Sequence, residues 1–257
     1  MEKYGDKYSE LVSRAVNHEL LFHYTRMETL RFILEGGSLR LSRIDKVNDP
    51  MENERITSLW RHRIFVACFT HTTVNEDYFW RNYGNVRIVL RSEKLGSRGV
   101  FLDAECQRSV PKEPPYEKRY EWKYLKNGTD LDNFYRRDIT MADVYYTDDL
   151  KRHIAEDGFE ENAGLIKLRC GYDDRGRMRD RSVEAETRLR IALNIVGVPP
   201  IGDKEITDHN HIAPRSEYLY VPFLWEDIET IELSPHCNDN EKERFAAYLK
   251  GIHFPMR

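Results

Sequence analysis

Closely spaced cysteines are absent from this chain. Its four, Cys68, Cys106, Cys170 and Cys237, are spread through 257 residues, which excludes a Cys-x-x-Cys zinc or redox motif. No apolar run approaches the roughly 18 residues of a membrane span. The opening MEKYGDKYSELVSRAV is too charged to read as a signal peptide. The expectation is a cytoplasmic protein with reduced thiols and no membrane partner. Asn127-Gly128-Thr129 then carries no meaning as a glycosylation site. Net charge is only −4, so nothing global argues for a nucleic-acid partner. Glycine pairs are isolated, with no P-loop and no dinucleotide fingerprint. No internal repeat is visible.

Charge and aromatic rings are what the chain has in quantity. Charged residues make up 33% and aromatics 12%, with 15 tyrosines, a composition suited to polar-edged aromatic packing or aromatic-lined clefts. The length fits one large domain or two small ones. The reading is a single domain, 1–257, with a surface insertion around 105–135, where Pro114-Pro115 forbids regular structure.

Helical spacing predicts helices over 7–19, 27–36, 51–60, 76–83 and 238–251. Gly36-Gly37 stops the second and Gly84 the fourth. Asn238 or Asp239 caps the last, whose inner face is Phe245, Ala246 and Leu249. The run Arg63–Phe69 reads as a central buried strand. Further strands are expected at 20–25, 39–42, 86–90, 99–102, 143–147, 165–170, 187–193, 218–223 and 228–233, with a charged loop over 171–181. Regular strand–helix alternation is missing. The fold class is therefore α+β, with a mixed, mainly antiparallel sheet and short helices.

Six groups of residues could carry chemistry. His23-Tyr24-Thr25 ends a strand, where an imidazole can hydrogen-bond a ligand or a core neighbour. Asn48-Asp49-Pro50-Met51-Glu52 crowds polar groups together, although turn chemistry explains each of them. Glu184 and Glu186, if on a strand, share one face with Arg188, opposite Leu189, Ile191 and Leu193. Two near carboxylates can split roles, one ionised and one with raised pKa. The plainer alternative is a solvated edge with Glu–Arg pairing. Trp80 to Tyr83 forms either an aromatic wall or core packing. Lys167, Arg169, Arg175, Arg177, Arg179, Arg181, Arg188 and Arg190 suit phosphate recognition or a solvated loop. His209 and His211 offer two imidazoles for a metal, but their setting near Pro214 reads as a polar loop.

These segments together resemble the DUF2971 family of bacterial proteins. The resemblance is carried by His23-Tyr-Thr with Asn48-Asp-Pro-x-Glu52, by Ala67-Cys-Phe-Thr70 with Trp80-x-x-Tyr83, by Glu184-x-Glu186 with Arg188, and by the closing strand Ile228–Leu233 and its helix. Ser182-Val183, Thr187 and Ser234-Pro235 depart from the family's usual residues. The first segment is also similar to the opening of ADP-ribosyltransferase-like toxins. That likeness implies a split antiparallel sheet binding NAD as substrate. It implies that His23 holds the nicotinamide ribose, that Tyr24 or Tyr83 stacks on nicotinamide, and that Glu186 or Glu184 is the catalytic acid residue. Thr25, Asn48, Asp49, Glu52, Phe69, Trp80 and Arg188 complete the implied binding set. The implied role is an intracellular toxin or anti-phage defence effector that modifies a nucleic acid or protein, with a cognate inhibitor or defence-system partner. The geometric expectation is one cleft shared by His23 and Glu186, with the Asn48–Glu52 loop at its rim. Two readings compete: a non-catalytic nucleotide- or partner-binding module, and a metal-dependent nuclease using Asp45, Asp49 or Glu52 with His209 and His211.

Overall fold

The computed structural model describes residues 18–47, 62–95, 101–102, 106–108, 122–124, 135–149, 164–172, 177–195 and 217–254. The expected helices over 51–60 and most of 7–19 lie outside these, as do Asn48, Asp49, Glu52, His209, His211 and most of the 105–135 insertion.

In chain order the elements are β1 (Leu20–Thr25), α1 (Met27–Gly36), β2 (Ser38–Arg43), β3 (Ile64–Thr70), α2 (Glu76–Tyr83), β4 (Val86–Arg91), β5 (Phe101–Leu102), β6 (Cys106–Arg108) and β7 (Trp122–Tyr124). Then follow β8 (Tyr135–Asp143), β9 (Tyr145–Thr147), β10 (Ile166–Leu168), β11 (Cys170–Tyr172), β12 (Met178–Asp180), β13 (Glu186–Ile195), β14 (Tyr218–Pro222), β15 (Ile228–Leu233) and α3 (Asp239–Gly251). The described residues thus make a mixed α+β structure with mainly antiparallel pairing and short helices.

The chain forms two compact units. The first takes Met1–Asn17, Leu41–Cys68 and Thr129–Leu219; the second takes His18–Arg40, Phe69–Gly128 and Tyr220–Arg257.

In the first unit β3 pairs with the end of β2, Ser42 facing Val66, and also with β13. On its other side β13 pairs antiparallel with β8 from Thr187↔Asp143 to Ile195↔Tyr135. Ile44, Ile64, Val66 and Ala192 form an apolar cluster. The expected polar face of β13 is not solvated. Glu186, Arg188 and Arg190 are buried like Leu189, Ile191 and Leu193, and the Glu186 and Arg188 charges are matched inside rather than turned to water. The expected strand over 143–147 is interrupted: Asp143 closes β8, Val144 donates its N–H to the Glu186 carbonyl, and β9 pairs parallel with β10. The 171–181 segment is less of a loop than its charges suggest, since β11 and β12 pair antiparallel.

In the second unit the order is β15, β4, β1 and the end of β3. β1 lies antiparallel to β4 over its whole length, Leu20↔Arg91 to Thr25↔Val86. Helix α1 buries Leu30, Ile33 and Leu34, as its spacing predicts, and Gly37 ends it with a left-handed backbone (φ 54°). Helix α3 begins with a capping box in which Asn238 accepts from the Glu241 N–H and Glu241 accepts from the Asn238 N–H. Its inner face differs from expectation. Leu249 is buried and Phe245 and Tyr248 are partly covered, but Ala246 is exposed. Arg31 of α1 lies over the Tyr248 ring, 5.1 Å from its centre, so Tyr248 takes the inward position.

Arg87 binds this unit together. Its guanidinium is hydrogen-bonded to Glu76 of α2, to Glu232 of β15 (Nε to Oε2, 2.8 Å) and to the Tyr24 hydroxyl of β1 (3.0 Å). It lies over the rings of Phe22, Tyr24 and Trp80 at 5.1, 5.8 and 5.4 Å, within cation–π range. Four elements therefore converge on one residue.

Gly84 ends α2 at φ 141°, a conformation that disfavours a side chain. A Cβ there would also overlap the Thr25 carbonyl oxygen. Gly84→Ala is expected to destabilise the protein by about 2 kcal/mol or more. Gly251→Ala is the control: a Cβ at Gly251 meets nothing within 4 Å, and the change should be neutral or stabilising by up to ~1 kcal/mol. Urea unfolding of the two variants measures the contrast. Equal effects would show that Gly84 is not needed for close approach.

Candidate functional site

Strand β13 begins at Glu186 because the residues before it turn. Arg181–Glu184 form a short 3-10 turn capped by Asp180, whose Oδ1 accepts from the Ser182 N–H (2.9 Å) and hydroxyl (2.6 Å). Ala185 then takes a left-handed backbone, φ 41°. A non-glycine residue pays roughly 1 kcal/mol for that conformation. The result is that Glu184 and Glu186 do not share a strand face by simple alternation, as the sequence suggests. The kink sends both side chains inward, to 5% and 6% exposure.

Glu186 is held at both oxygens. Oε2 accepts from Lys167 Nζ of β10 (2.6 Å) and Oε1 from Arg188 Nε (2.6 Å). The Cys68 thiol of β3 donates to it as well. Arg188, 1% exposed, gives its Nη1–H to the Gly164 carbonyl at 2.6 Å. Burial is the largest influence on Glu186 and opposes its ionisation, but Arg188 and Lys167 together outweigh it. They hold its pKa well below the usual carboxylate range.

Glu184 responds the other way. It pairs with Arg179 Nη2 of β12 at 2.8 Å. Burial comes first among its influences and, helped by the negative charge of Glu186, raises its pKa despite Lys167 and the arginines. One carboxylate is therefore fixed as an anion and its neighbour has increased proton affinity.

Two uncharged groups complete the cluster. Tyr146 of β9 stands beside Lys167 in the β9–β10 register. It is 9% exposed, and its hydroxyl has no hydrogen-bond partner among the described residues. Burial, then the charges of Glu186 and Glu184, raise its pKa far above that of a free phenol. Cys68 is the one exposed residue of β3. Its thiol is nonetheless enclosed: burial and the Glu186 charge push its pKa up to about 12. Cys68 thus combines an exposed residue with a thiol close to the Glu186 carboxylate.

His23, Tyr24, Thr25, Phe69, Trp80 and Tyr83 belong to the second unit, whereas Glu184, Glu186 and Arg188 belong to the first. Within the second unit the His23 and Phe69 rings are 5.6 Å apart. Tyr24 stacks on Phe79 at 5.1 Å and meets the edge of Trp80 at 4.7 Å. Trp80 is buried in that aromatic core and Tyr83 is 44% exposed, so Tyr83 rather than Tyr24 offers an open ring. Asp45 of the nuclease reading is bonded through both oxygens to Arg43, at 2.6 and 2.9 Å. The rim loop Asn48–Glu52 lies outside the described residues.

Three members of the cluster carry no expected site role. Lys167 counted only as one of many basic residues, Cys68 as a reduced thiol within the Ala67–Thr70 segment, and Tyr146 as part of a strand. The available signal was a charged or reactive residue set among apolar neighbours, Leu165-Ile166-Lys167-Leu168 and Val66-Ala67-Cys68-Phe69. No family model, curated protein or solved structure matches the chain.

Removing the Glu186 charge leaves Lys167 and Arg188 buried without their shared anion. Glu186→Gln is expected to cost about 3–5 kcal/mol at pH 7. The stabilisation comes from a depressed carboxylate pKa. It is fully present above the unfolded value, about 4.3, and fades as pH falls from there toward the folded value. The gap between wild type and variant in urea unfolding should narrow below about pH 4. A gap independent of pH would remove the ion-pair explanation.

Proposed function

We propose that the chain is an NAD-consuming, ADP-ribosyltransferase-like enzyme whose chemistry is centred on Glu184 and Glu186. The observation that supports this is the opposite displacement of the two carboxylates: Glu186 held ionised, Glu184 raised. Breaking the nicotinamide–ribose bond leaves the electron pair on the departing nitrogen and positive charge on C1′, as in glycoside hydrolysis. A fixed carboxylate stabilises that charge. A second carboxylate with raised proton affinity suits removal of the acceptor's proton near neutral pH. In this reading Glu186 is the electrostatic partner and Glu184 the base. The resemblance to ADP-ribosyltransferase-like toxins adds NAD as the substrate. It also adds a defence or toxin role, with a nucleic acid, a protein or water as acceptor. The fold proposed with it is the split antiparallel sheet of that group.

One observation favours a second reading, a non-catalytic nucleotide- or partner-binding module. Both Glu186 oxygens are already bonded to cations, an arrangement that also serves purely to hold β10 and β13 together.

Nicotinamide release from NAD separates the readings, measured with pure protein alone and with DNA, RNA or lysate added. The enzyme reading expects release that falls about 100-fold or more in Glu184→Gln, with the unfolding midpoint little changed. NAD binding without release under any condition supports the module. Release that survives Glu184→Gln unchanged removes Glu184 from the chemistry.

A further inference from the structure

We propose that Tyr146 and Cys68 bound a recess in the first unit that receives an uncharged hydrogen-bonding group, an amide. The inference deepens the reading above, because it assigns a ligand group to the same cluster, but it does not depend on the reaction.

Tyr146 provides the first observation. A phenol buried to nine-tenths ordinarily has a partner, and leaving one unmade costs about 1–3 kcal/mol. Here the hydroxyl has none among the described residues. Its position is fixed by its neighbours: Lys167 is its partner in the parallel ladder, and adjacent residues of a ladder project to the same face. Lys167 reaches Glu186, and Glu186 is bonded to Cys68. The orphan hydroxyl therefore belongs to the same small space as the thiol.

Access is the second observation. In β3 the other six residues are buried and Cys68 alone is exposed. A ligand reaching the floor at Cys68 would come to the Tyr146 hydroxyl without displacing an existing hydrogen bond of that phenol.

Charge selects the ligand class. Lys167 and Arg188 are both committed to Glu186, and Arg188 also to the Gly164 carbonyl. An anion would sit where the protein already disfavours two of its own: the thiolate of Cys68 and the phenolate of Tyr146 are both suppressed by burial and by the glutamate charges. A cation would meet Lys167 and Arg188, with both Glu186 oxygens taken and Glu184 paired with Arg179. A neutral group avoids both penalties. The phenol offers one donor and an acceptor oxygen, and an amide offers the complementary carbonyl and N–H. In the NAD reading the substrate group with this chemistry is the nicotinamide carboxamide.

Three isosteric probes test this with the full chain: benzamide, benzoate and benzamidine, which are neutral, anionic and cationic. Calorimetric titration is expected to show benzamide binding at least about 10-fold tighter than either charged probe. Tyr146→Phe should weaken benzamide about 5- to 30-fold. It should leave the thermal midpoint unchanged or raised, because an unsatisfied hydroxyl has been removed. Cys68→Leu fills the floor and should abolish benzamide binding. The proposal is overturned if benzamide does not bind, if a charged probe binds equally well, or if Tyr146→Phe binds as wild type. A clear fall in the Tyr146→Phe midpoint also overturns it, since the hydroxyl would then be a structural partner. Benzamide binding without NAD cleavage keeps the recess and removes the reaction. NAD cleavage with Tyr146→Phe equal to wild type does the reverse.

Discussion

A carboxylate bonded to two cations inside a sheet is the constraint on which the first unit depends. Glu186 joins β13 to β10 through Lys167 and touches β3 through Cys68, while Arg188 carries the contact on to Gly164. Dehydrating these charges costs several kcal/mol per ion, and only near-complete pairing makes the arrangement tolerable. The pairing is near complete at Glu186, which has a donor on each oxygen. A buried ion network is weak evidence for stability gained over an apolar core. It is better evidence for register. Lys167 can reach Glu186 only while β9–β10 stands correctly over the start of β13, where Val144 N–H also meets the Glu186 carbonyl.

The second unit uses the same device in a milder form. Arg87 is clamped by Glu76 and Glu232 and covered by three aromatic rings. It lies near the surface, with 11% of its side chain exposed and its two carboxylates more than a third exposed. Solvent therefore screens these pairs, and their worth is closer to that of surface ion pairs. What Arg87 adds is position. It ties α2 to β1, β4 and β15 and keeps Tyr24 engaged through its hydroxyl. The aromatic richness visible in composition is thus accounted for in part by ring packing around one guanidinium.

Elements with strong local signals were legible from sequence. Helix α2 runs Glu76–Tyr83 as its spacing predicts, and β3 and β15 lie within a residue of their apolar runs. Helix α1 stops at its glycine pair. What escaped was decided by partners distant in sequence. Alternation places Glu184 and Glu186 on one strand, but the Asp180 cap and the left-handed Ala185 end the strand between them. A polar face on β13 looked solvated because charge usually marks solvent. Here Glu186 and Arg188, two residues apart on one face, neutralise each other in the interior. Ala246 looked inward by spacing, but Arg31 draws Tyr248 to that side. The opposite displacement of two neighbouring carboxylates was legible as a capacity of the Glu-x-Glu pair. Which residue took which direction was not, because that depends on Arg188 and Lys167 both bonding Glu186, while burial and the Glu186 charge act on Glu184.

The direction of each proton affinity narrows what the cluster can do. Arg188 and Lys167 hold the Glu186 pKa well below the usual carboxylate range, which suits a fixed negative charge or a strut. Cys68 and Tyr146 are displaced toward the protonated form by the same burial and the same carboxylates, so neither serves as a ready nucleophile. Glu184 is the member displaced toward neutrality from the acid side. Among these groups Glu184 is the one whose shift suits an acid–base step. Its contact with Arg179 belongs to that logic. The arginine opposes the burial that raises the pKa of Glu184, so a ligand that drew Arg179 away would strengthen Glu184 as a base. A strut needs no such neighbour, and the Glu184–Arg179 pair is where catalysis and simple binding part company.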